Sequence, residues 1–337
     1  MSREPFTNLP PHRLSRRAML AHAASAVAAT SWILPGQDSA SGKDFNELPS
    51  EAAGLTGYLG DRQVFVRWNN AIVISYRAHN SLKLPYFGPL IGPASGCSLT
   101  TESSVPYPHH RGIWLGCDPL NGGDYWSDGS LDDGQIVSSG PVLGRVGAGS
   151  MMFEDRCEWH RHGEPSPLSD RRQITVRIPS DDLYAIDLAI DLTAHRDIQI
   201  DSAKHSLFAL RSAADISSLE GGVLMNSHGH VGAEATFGKP ASWCGFHGPR
   251  RRSKIVEGIA ILDHPDNFGG DCPWFTRNYG HLSPSPFYFQ TKPWTIQQGE
   301  TVTLKYCVVM HAGTPQEAGL DRLHGEWLAK EGRFAHA

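Results

Sequence analysis

Three titratable side chains stand next to one another at His109, His110 and Arg111, within the stretch SVPYPHHRGIWLGCDPLNGGDYWSDG that covers residues 104–129. Imidazole titrates near neutral pH, which suits a general acid or base. Adjacent residues of a strand or loop point apart, so we expect one histidine to face a ligand while the other supports it. Asp124 supplies a carboxylate in the same stretch. We therefore predict His109, His110 and Asp124 as catalytic residues.

The same stretch carries planar groups of the kind that hold a sugar. Trp114 and Trp126 offer apolar ring faces that match the C–H face of a pyranose. The guanidinium of Arg111 presents a planar fork of donors to neighbouring hydroxyls or to a carboxylate. These residue types predict a carbohydrate pocket. The alternative is a structural loop that is fastened by a buried histidine–aspartate pair and by packed tryptophans.

A second stretch with similar chemistry covers residues 263–287, where four prolines mark a shaped and non-helical loop. A third stretch, from His205 to Arg211, adds another arginine. Binding sites usually lie on loops that a rigid sheet scaffold supports, and converging loops would form a pocket. The predicted substrate-binding residues are Arg111, Trp114, Trp126, Arg211, Trp274, Arg277, Tyr279 and His281.

Two pairs of histidines have the spacing of residues on one face of a strand, His160 with His162 and His228 with His230. Both imidazoles of such a pair can chelate a metal ion. Polar residues at the same period also form the wet face of an ordinary sheet. These four histidines are therefore the candidate metal ligands. No cofactor is certain from the sequence, and a divalent metal ion stays an open alternative.

The elements that must position these groups are mostly strands. Apolar and polar residues alternate from Leu55 onward, for example over residues 184–192. Asn69 and Asn70 lie between two such runs, which is typical of a hairpin with a two-residue turn. Helical spacing is found only from residue 315 to about residue 330. The pattern predicts an all-β fold, a single-domain β-sandwich or supersandwich with a short C-terminal helix.

The composition excludes several classes of protein. The formal net charge of −5 shows no basic excess, so nucleic-acid binding is not expected. After the N-terminal region no stretch approaches 18 uninterrupted apolar residues, so we expect no membrane span in the mature chain. The expected partner is a small-molecule or oligosaccharide substrate, and the oligomeric state stays open.

The first forty residues have the character of an export signal. Residues 15–20 read SRRAML, a twin-arginine motif, and an alanine-rich run follows. We predict a removed export signal over residues 1–40, a flexible segment over 41–54 and one domain over 55–337, in a periplasmic or secreted protein. The twin-arginine route carries folded chains out of a reducing cytosol. We therefore expect most of the six cysteines to be buried and unpaired.

Several motifs resemble those of one known family. Residues 83–90 read KLPYFGPL, residues 108–114 read PHHRGIW, and residues 273–280 read PWFTRNYG. In these motifs the chain resembles the PmoA-like family, over roughly residues 55–313. Gly88 stands where histidine is common in that family. The family carries the name methane oxygenase, but a methane monooxygenase subunit needs several membrane spans, which this sequence does not predict.

The resemblance implies a fold similar to the galactose-mutarotase supersandwich. It also implies an exported bacterial protein that is found alongside carbohydrate-degrading and sugar-oxidising enzymes. These expectations agree with the sugar-binding chemistry of the residues but are implied by the family and not by the residue pattern.

The residues and the resemblance together leave three functions open. The leading one is an exported carbohydrate-active enzyme that acts on a glycoside or an oxidised sugar, of lyase, hydrolase or epimerase type. Its histidines would transfer protons opposite Asp124, or would hold a divalent ion that polarises an oxygen. The second is a non-catalytic carbohydrate-binding or accessory protein, which explains the tryptophans and arginines equally well but the adjacent histidines less well. The third, a copper or iron oxygenase, would require a redox-active metal in the purified protein.

Overall fold

The structure is a computed structural model, and it describes residues 53–268 and 270–334. The predicted export signal over residues 1–40 lies outside the described residues. So does the predicted flexible segment over 41–54, apart from its last two residues.

Within the described residues the chain forms 21 strands and three α-helices. The strands are β1 (Leu55–Gly60), β2 (Gln63–Trp68), β3 (Ala71–Arg77), β4 (Tyr86–Leu90), β5 (Glu102–Ser104), β6 (Tyr107–Arg111), β7 (Ile113–Asp118), β8 (Gln135–Ser138), β9 (Val142–Val146), β10 (Ser150–His160), β11 (Leu168–Ser180), β12 (Leu183–Ala194), β13 (Ile198–Ile200), β14 (His205–Arg211), β15 (Val223–Asn226), β16 (Trp243–Pro249), β17 (Val256–Asp263), β18 (Trp274–Arg277), β19 (His281–Pro284), β20 (Trp294–Ile296) and β21 (Thr301–Ala312). The helices are α1 (Ala233–Thr236), α2 (Pro315–Ala318) and α3 (Leu320–Phe334).

Most of the strands belong to two large antiparallel sheets. The eight-stranded sheet has the order β1-β2-β3-β4-β7-β14-β19-β18, and the nine-stranded sheet has β15-β16-β17-β21-β12-β11-β10-β8 with β9 added on β10. Two small sheets, β13 with β20 and β5 with β6, complete the pairing among the described strands. The prediction of an all-β sandwich with a short C-terminal helix is confirmed.

The core lies between the two large sheets, where their apolar faces meet. Phe208 of β14 stacks on Tyr306 of β21 with ring centroids 4.3 Å apart, and Tyr76 of β3 contacts Phe153 of β10 at 5.5 Å. The predicted hairpin is also confirmed, because Trp68 pairs with Ala71 across Asn69 and Asn70. Both asparagines have positive φ, as a two-residue hairpin turn requires.

Strand β14 shows how the eight-stranded sheet presents two different faces. Its residues alternate, so that Phe208 and Leu210 point towards the nine-stranded sheet and His205 and Arg211 point away from it. We call the side that packs on the nine-stranded sheet the inner face and the opposite side the outer face. The outer face positions the residues whose chemistry stands out in the sequence.

The C-terminal helix covers the far side of the nine-stranded sheet. Leu320 and Trp327 pack there with Trp243, whose indole N–H donates to Asp321 at 2.7 Å. The helical segment is interrupted at Gly319, which has φ of +68° and ends α2 before α3 begins. None of the helices among the described residues is long and apolar enough to cross a membrane.

Candidate functional site

A single glycine allows the PHHRGIW stretch to fold back on its own sheet. Gly112 links β6 to β7 with φ of +57°, and a Cβ at this position would lie 1.8 Å from the carbonyl oxygen of Phe87. Only glycine fits this turn without displacing backbone. The turn lays β6 over the outer face, so that His110 stacks on Trp114 with ring centroids 5.2 Å apart.

Strand pairing brings three distant parts of the chain under β6. On the outer face Trp114 of β7 lies opposite Ala209 of β14, and Arg211 of β14 lies opposite His281 of β19. The ring of His281 stacks on His110 with centroids 4.6 Å apart. All of these residues except Ala209 have side chains that could bind a ligand.

Trp126 completes the group from a loop that Asp124 holds in shape. The Asp124 carboxylate accepts hydrogen bonds from the backbone N–H groups of Trp126 and Ser127, both at 2.9 Å, and from the Ser127 hydroxyl. Burial opposes ionisation of Asp124, but these hydrogen bonds outweigh it and hold the pKa of the carboxyl below its usual value. Asp124 was predicted to be a catalytic residue opposite the histidines. The structure places its oxygens on its own loop, where they position Trp126.

We call His110, Trp114, Trp126, Arg211 and His281 the outer-face cluster. Each is at most 4% exposed. The ring of Trp126 lies 5.1 Å from Trp114 and 6.3 Å from both histidines. The sequence predicted that the two tryptophans would offer open ring faces to a sugar. In the structure they are buried instead, with His110 stacked on Trp114 and His205 stacked on Trp126.

The outer-face cluster contains buried polar atoms that make no hydrogen bond. The atoms without a partner among the described residues are Nδ1 of His110, Nδ1 of His281, Nε1 of Trp114, Nε1 of Trp126, and Nε and Nη1 of Arg211. Buried polar atoms in folded proteins nearly always have a partner, since each one left alone costs about 1–3 kcal/mol. So many such atoms in one cluster indicate a site that a polar ligand or ordered water completes. The indole and guanidinium nitrogens are donors only.

Burial sets the protonation of the two histidines. It lowers the pKa of His110, and the neighbouring His281 and His109 lower it further. It also lowers the pKa of His281, with Arg211 and Arg277 adding to the effect. Both imidazoles are therefore neutral at pH 7, and each can offer one nitrogen as an acceptor or a base.

A ring of half-exposed residues borders the cluster. Tyr107 contacts His110 at 5.3 Å and Tyr279 at 5.1 Å, and His109 meets His110 edge to face at 4.5 Å. Burial raises the pKa of Tyr279 to about 12, so its hydroxyl remains protonated. At the other end His205 lies 3.4 Å from Asp118, measured between Nδ1 and Oδ2.

Tyr107 and His205 are site residues that the sequence did not predict. Tyr107 stands two residues before His109, and a period-two reading of β6 would have placed both on one side of the strand. His205 opens the stretch that ends at Arg211, and the same alternation places both on the outer face. In each case the signal that could have found the residue was alternation within its own strand.

The remaining predicted binding residues lie around or away from the cluster. Arg111 pairs with Asp128 at 2.9 Å on the rim. The Arg277 guanidinium lies over the rings of Phe275 and Phe237, at 4.1 and 4.7 Å. Trp274 lies on the inner face, fully buried, with its indole N–H donating to the carbonyl of Ala241 at 2.9 Å. Its place is the core of the sandwich and not the outer-face cluster.

The four candidate metal ligands lack the strand geometry that would pair them. His228 and His230 are exposed on the loop after β15 with ring centroids 6.1 Å apart. His160 ends β10, and His162 follows it at an exposed position 4.0 Å from Asp132. Across residues 53–268 and 270–334, no group of three or more His, Cys, Asp or Glu side chains is arranged to hold a metal ion. The six cysteines are free thiols, five of them buried and Cys97 exposed.

Comparison with known proteins gives one family match. The model of a family of unknown function, DUF6807, matches residues 59–324. No curated protein matches the chain.

Several solved structures share parts of the architecture. They include an α-galactosidase from Lactobacillus brevis, with a TM-score of 0.37, 9% identity, and coverage of 77% of this chain and 39% of that one. A galactose mutarotase related enzyme from Lactobacillus acidophilus has a TM-score of 0.30 and 8% identity, with 77% and 98% of the two chains covered. A GalM/aldose epimerase homologue from C. elegans has a TM-score of 0.27 and 9% identity, with 78% and 99% covered. This chain spans well under two thirds of the α-galactosidase. Likenesses at these TM-scores carry no argument about substrate or mechanism, which must come from the side chains.

Proposed function

The chain belongs to the DUF6807 family, whose function is unknown, and we propose that it is a carbohydrate-active enzyme with its site at the outer-face cluster. The substrate is a glycoside or an oxidised sugar, and the reaction is of lyase, hydrolase or epimerase type. The resemblance to PmoA-like motifs and the twin-arginine motif of residues 15–20 support the further proposal that the enzyme is exported to the periplasm or beyond.

One observation carries the proposal, the set of unpartnered nitrogens in the outer-face cluster. A sugar brings many hydroxyl oxygens, each of which can accept from an indole or guanidinium N–H and donate to an imidazole. Sugars also present apolar C–H faces, and the half-exposed rings of Tyr107 and Tyr279 border the cluster. A ligand with both properties fits this surface better than a purely apolar or purely ionic one.

His110 is the residue we assign to proton transfer. Its imidazole is neutral at pH 7 because burial lowers its pKa, and its Nδ1 has no partner among the described residues. The same burial makes this imidazole a weak base in the free protein, so it accepts a proton from a C–H or O–H group of the sugar only when a bound ligand with negative charge raises its pKa. His281 stacks on His110 at 4.6 Å and fixes the plane of its ring.

His205 offers a second position for acid–base chemistry at the opposite end of the cluster. The Asp118 carboxylate lies 3.4 Å from its Nδ1 and can fix the orientation of the ring. Burial lowers the pKa of His205, and Asp118 acts against that shift. A proton acceptor at one end and a donor at the other would suit a reaction that moves two protons.

A non-catalytic carbohydrate-binding protein is the second candidate, and the rim favours it. Tyr107, 40% exposed, stands beside Tyr279 and forms an aromatic surface of the kind that binds sugars without chemistry. This candidate gives no role to the neutral, unpartnered imidazoles beneath.

Turnover distinguishes the two candidates. The purified protein is incubated with glycosides, uronides and 3-keto-glycosides, with and without prior chelation, and products are followed by mass spectrometry. We expect product from the wild type and a loss of at least about 100-fold in His110→Gln, the contribution typical of a general acid or base. The matched control is His195→Gln, which changes an exposed histidine outside the cluster. Thermal unfolding of both variants shows whether they fold.

Each alternative outcome has a definite meaning. Product that also disappears on chelation would assign the reaction to a metal-assisted enzyme. Sugar binding without product from any substrate would support the binding protein. Equal turnover by wild type and His110→Gln would overturn the assignment of His110.

A further inference from the structure

Arg211 is a buried cation without an acidic partner among the described residues. Only 2% of the residue is exposed. Nη2 donates to Ser104 Oγ at 3.4 Å and to the carbonyl of Val105 at 3.3 Å, and both contacts are long. Nε, with one N–H, and Nη1, with two, donate to nothing that the structure describes.

The other buried arginines among the described residues are supplied with carboxylates. Arg172 bonds to Asp170 through Nε at 2.6 Å and Nη2 at 3.1 Å. Arg250 lies 3.4 Å from both Asp215 and Glu257. Burying a charge is expensive unless a countercharge and hydrogen bonds compensate it. Nε and Nη1 of Arg250, like those of Arg211, make no hydrogen bond that the structure describes, but two carboxylates lie beside them. The missing countercharge is therefore what distinguishes Arg211 from the other two buried arginines.

We propose that the substrate of this site is an acidic sugar, and that its carboxylate binds the guanidinium of Arg211. The inference rests on the proposed carbohydrate function and names the class of sugar. A carboxylate supplies the missing negative charge together with acceptors for the unused N–H groups.

The surroundings of Arg211 agree with an anionic ligand. The ring of Tyr279 lies 4.4 Å from the guanidinium carbon and holds the group in a fixed plane. The other unpartnered atoms of known polarity, Nε1 of Trp114 and of Trp126, are also donors. These indole nitrogens, like Nε and Nη1 of Arg211, can only donate, and they have no acceptor among the described residues. A ligand that is rich in hydrogen-bond acceptors therefore fits the cluster.

The nearby carboxylates are already engaged elsewhere. Asp124 accepts three hydrogen bonds from its own loop, Asp128 pairs with Arg111 at 2.9 Å, and Asp118 lies beside His205. Burial lowers the pKa of Arg211, and the phenols of Tyr279 and Tyr107 are the groups that act against this shift. The countercharge must therefore come with the ligand.

The hairpin of β5 and β6 covers the guanidinium and indicates the direction of entry. Its tip contains Val105, which is 86% exposed, and the tip accepts two long hydrogen bonds from Nη2 of Arg211. A carboxylate that forms charge-assisted hydrogen bonds with the guanidinium would replace weaker neutral ones.

Matched ligands test the inference. Methyl α-D-galacturonide and methyl α-D-glucuronide are compared by calorimetry with their C6 methyl esters and with the neutral methyl galactoside and glucoside. The acid and its ester differ in charge but hardly in shape. We expect at least one acid to bind the wild type about 30-fold or more tightly than its ester, the effect of losing one partner of a buried charge pair.

Variants of Arg211 then show whether this residue causes the preference for the acid over its ester. Arg211→Gln should abolish the preference for the acid, and Arg211→Lys should keep part of it, because lysine retains the charge but not the planar fork. Arg251→Gln is the control, since Arg251 is exposed and pairs with Glu220 at 2.8 Å. Unfolding curves confirm that each variant folds.

The possible failures are separable. Acids and esters that bind equally well, with no change in their ratio in Arg211→Gln, would overturn the acidic-sugar inference and leave the carbohydrate function standing. Absence of binding by every sugar in the panel, neutral or acidic, would overturn both.

Discussion

Arg172 and Arg211 are both buried among aromatic rings, at 3% and 2% exposure, but they belong to polar regions of different construction. Arg172 lies between the two sheets in what we call the inner network, formed by Tyr76, Ser138, Asp155, Trp159, Asp170 and Arg172. Arg211 lies on the outer face of the eight-stranded sheet. In the inner network the protein supplies the partner for each charge, whereas in the outer-face cluster it does not.

The carboxylates of the inner network accept short hydrogen bonds, although the bond from Arg172 Nη1 to the Tyr76 hydroxyl is 3.4 Å long. Asp155 accepts from the Tyr76 hydroxyl at 2.7 Å and from the Ser138 hydroxyl at 2.6 Å. Asp170 accepts from the Trp159 indole at 2.8 Å as well as from Arg172. Burial disfavours the charge of Arg172, but Asp170 together with Cys157 and Tyr76 more than offsets it, so that the pKa of Arg172 is raised. Burial lowers the pKa of Arg211 because no acid offsets it.

This contrast separates a network whose charges the protein pairs by itself from the cluster that we propose binds a ligand. A network that closes on itself contributes to folding, provided that it stays complete. A cluster that holds unpartnered donors gives up stability until a ligand arrives, which is common at functional sites.

Replacing each arginine should give the largest difference in stability between the inner network and the outer-face cluster. Arg172→Met should lower the free energy of unfolding by about 3–5 kcal/mol, because Asp170 would remain buried without its cation. Arg211→Met should change it by no more than about 1 kcal/mol, or raise it, since an uncompensated buried charge is lost. Urea unfolding at pH 7.5 measures both. Equal destabilisation by the two variants would remove the distinction between the regions.

Replacing one tryptophan in each region should give a smaller difference in the free energy of unfolding. Trp159→Phe removes a hydrogen bond to a buried carboxylate and should cost about 1.5–3 kcal/mol beyond the loss of ring contacts. Trp126→Phe removes an indole N–H that has no partner among the described residues, so only the packing loss should appear. The difference between the two unfolding free energies is the quantity to measure. If Trp126→Phe is as costly as Trp159→Phe, then the indole N–H of Trp126 has a protein partner after all.

The pH dependence of stability tests the outer-face cluster in a different way. In the folded protein burial holds the pKa of His110 and His281 far below 6.5, while in the unfolded chain both titrate near 6.5. The contribution of these two histidines to the free energy of unfolding is therefore fully present above pH 6.5. Below pH 6.5 the free energy of unfolding decreases by about 1.4 kcal/mol per pH unit for each histidine.

Replacing the two histidines tests whether they cause this pH dependence of stability. The double variant His110→Gln/His281→Gln should have a shallower decline of unfolding free energy between pH 6.5 and pH 5 than the wild type. His195→Gln, which changes an exposed histidine outside the cluster, should keep the wild-type slope. A double variant with an unchanged slope would contradict the assignment of the pH dependence to the outer-face cluster.

Much of the fold could be predicted from the sequence because it depends on local patterns. Period-two alternation over residues 184–192 specifies a strand with one buried face, and β12 forms there with that burial pattern. Asn69-Asn70 supplies positive φ at the hairpin turn. These signals need no knowledge of which strand lies beside which.

The site was predictable in its residue types but not in its arrangement. His109, His110 and Arg111 indicated chemistry by their density, yet the pairing of β7 with β14 and of β14 with β19 decides which residues join them. Trp274 and His281 were both predicted as substrate-binding residues of one short stretch, but they lie on opposite faces of the hairpin of β18 and β19. A shift of one residue in the pairing of two strands moves each side chain to the opposite face of the sheet. The local sequence does not specify this pairing register.

The decisive measurement is whether an acidic sugar binds at Arg211 of the outer-face cluster. It requires a crystal structure of the protein soaked with the methyl uronide that binds most tightly. We predict that the sugar lies on the outer-face cluster with a carboxylate oxygen within about 2.7–3.2 Å of Nε or Nη1 of Arg211. We also predict an oxygen acceptor on at least one of the two indole nitrogens of Trp114 and Trp126. A sugar bound elsewhere, with the nitrogens of the cluster satisfied by protein groups, would contradict the claim.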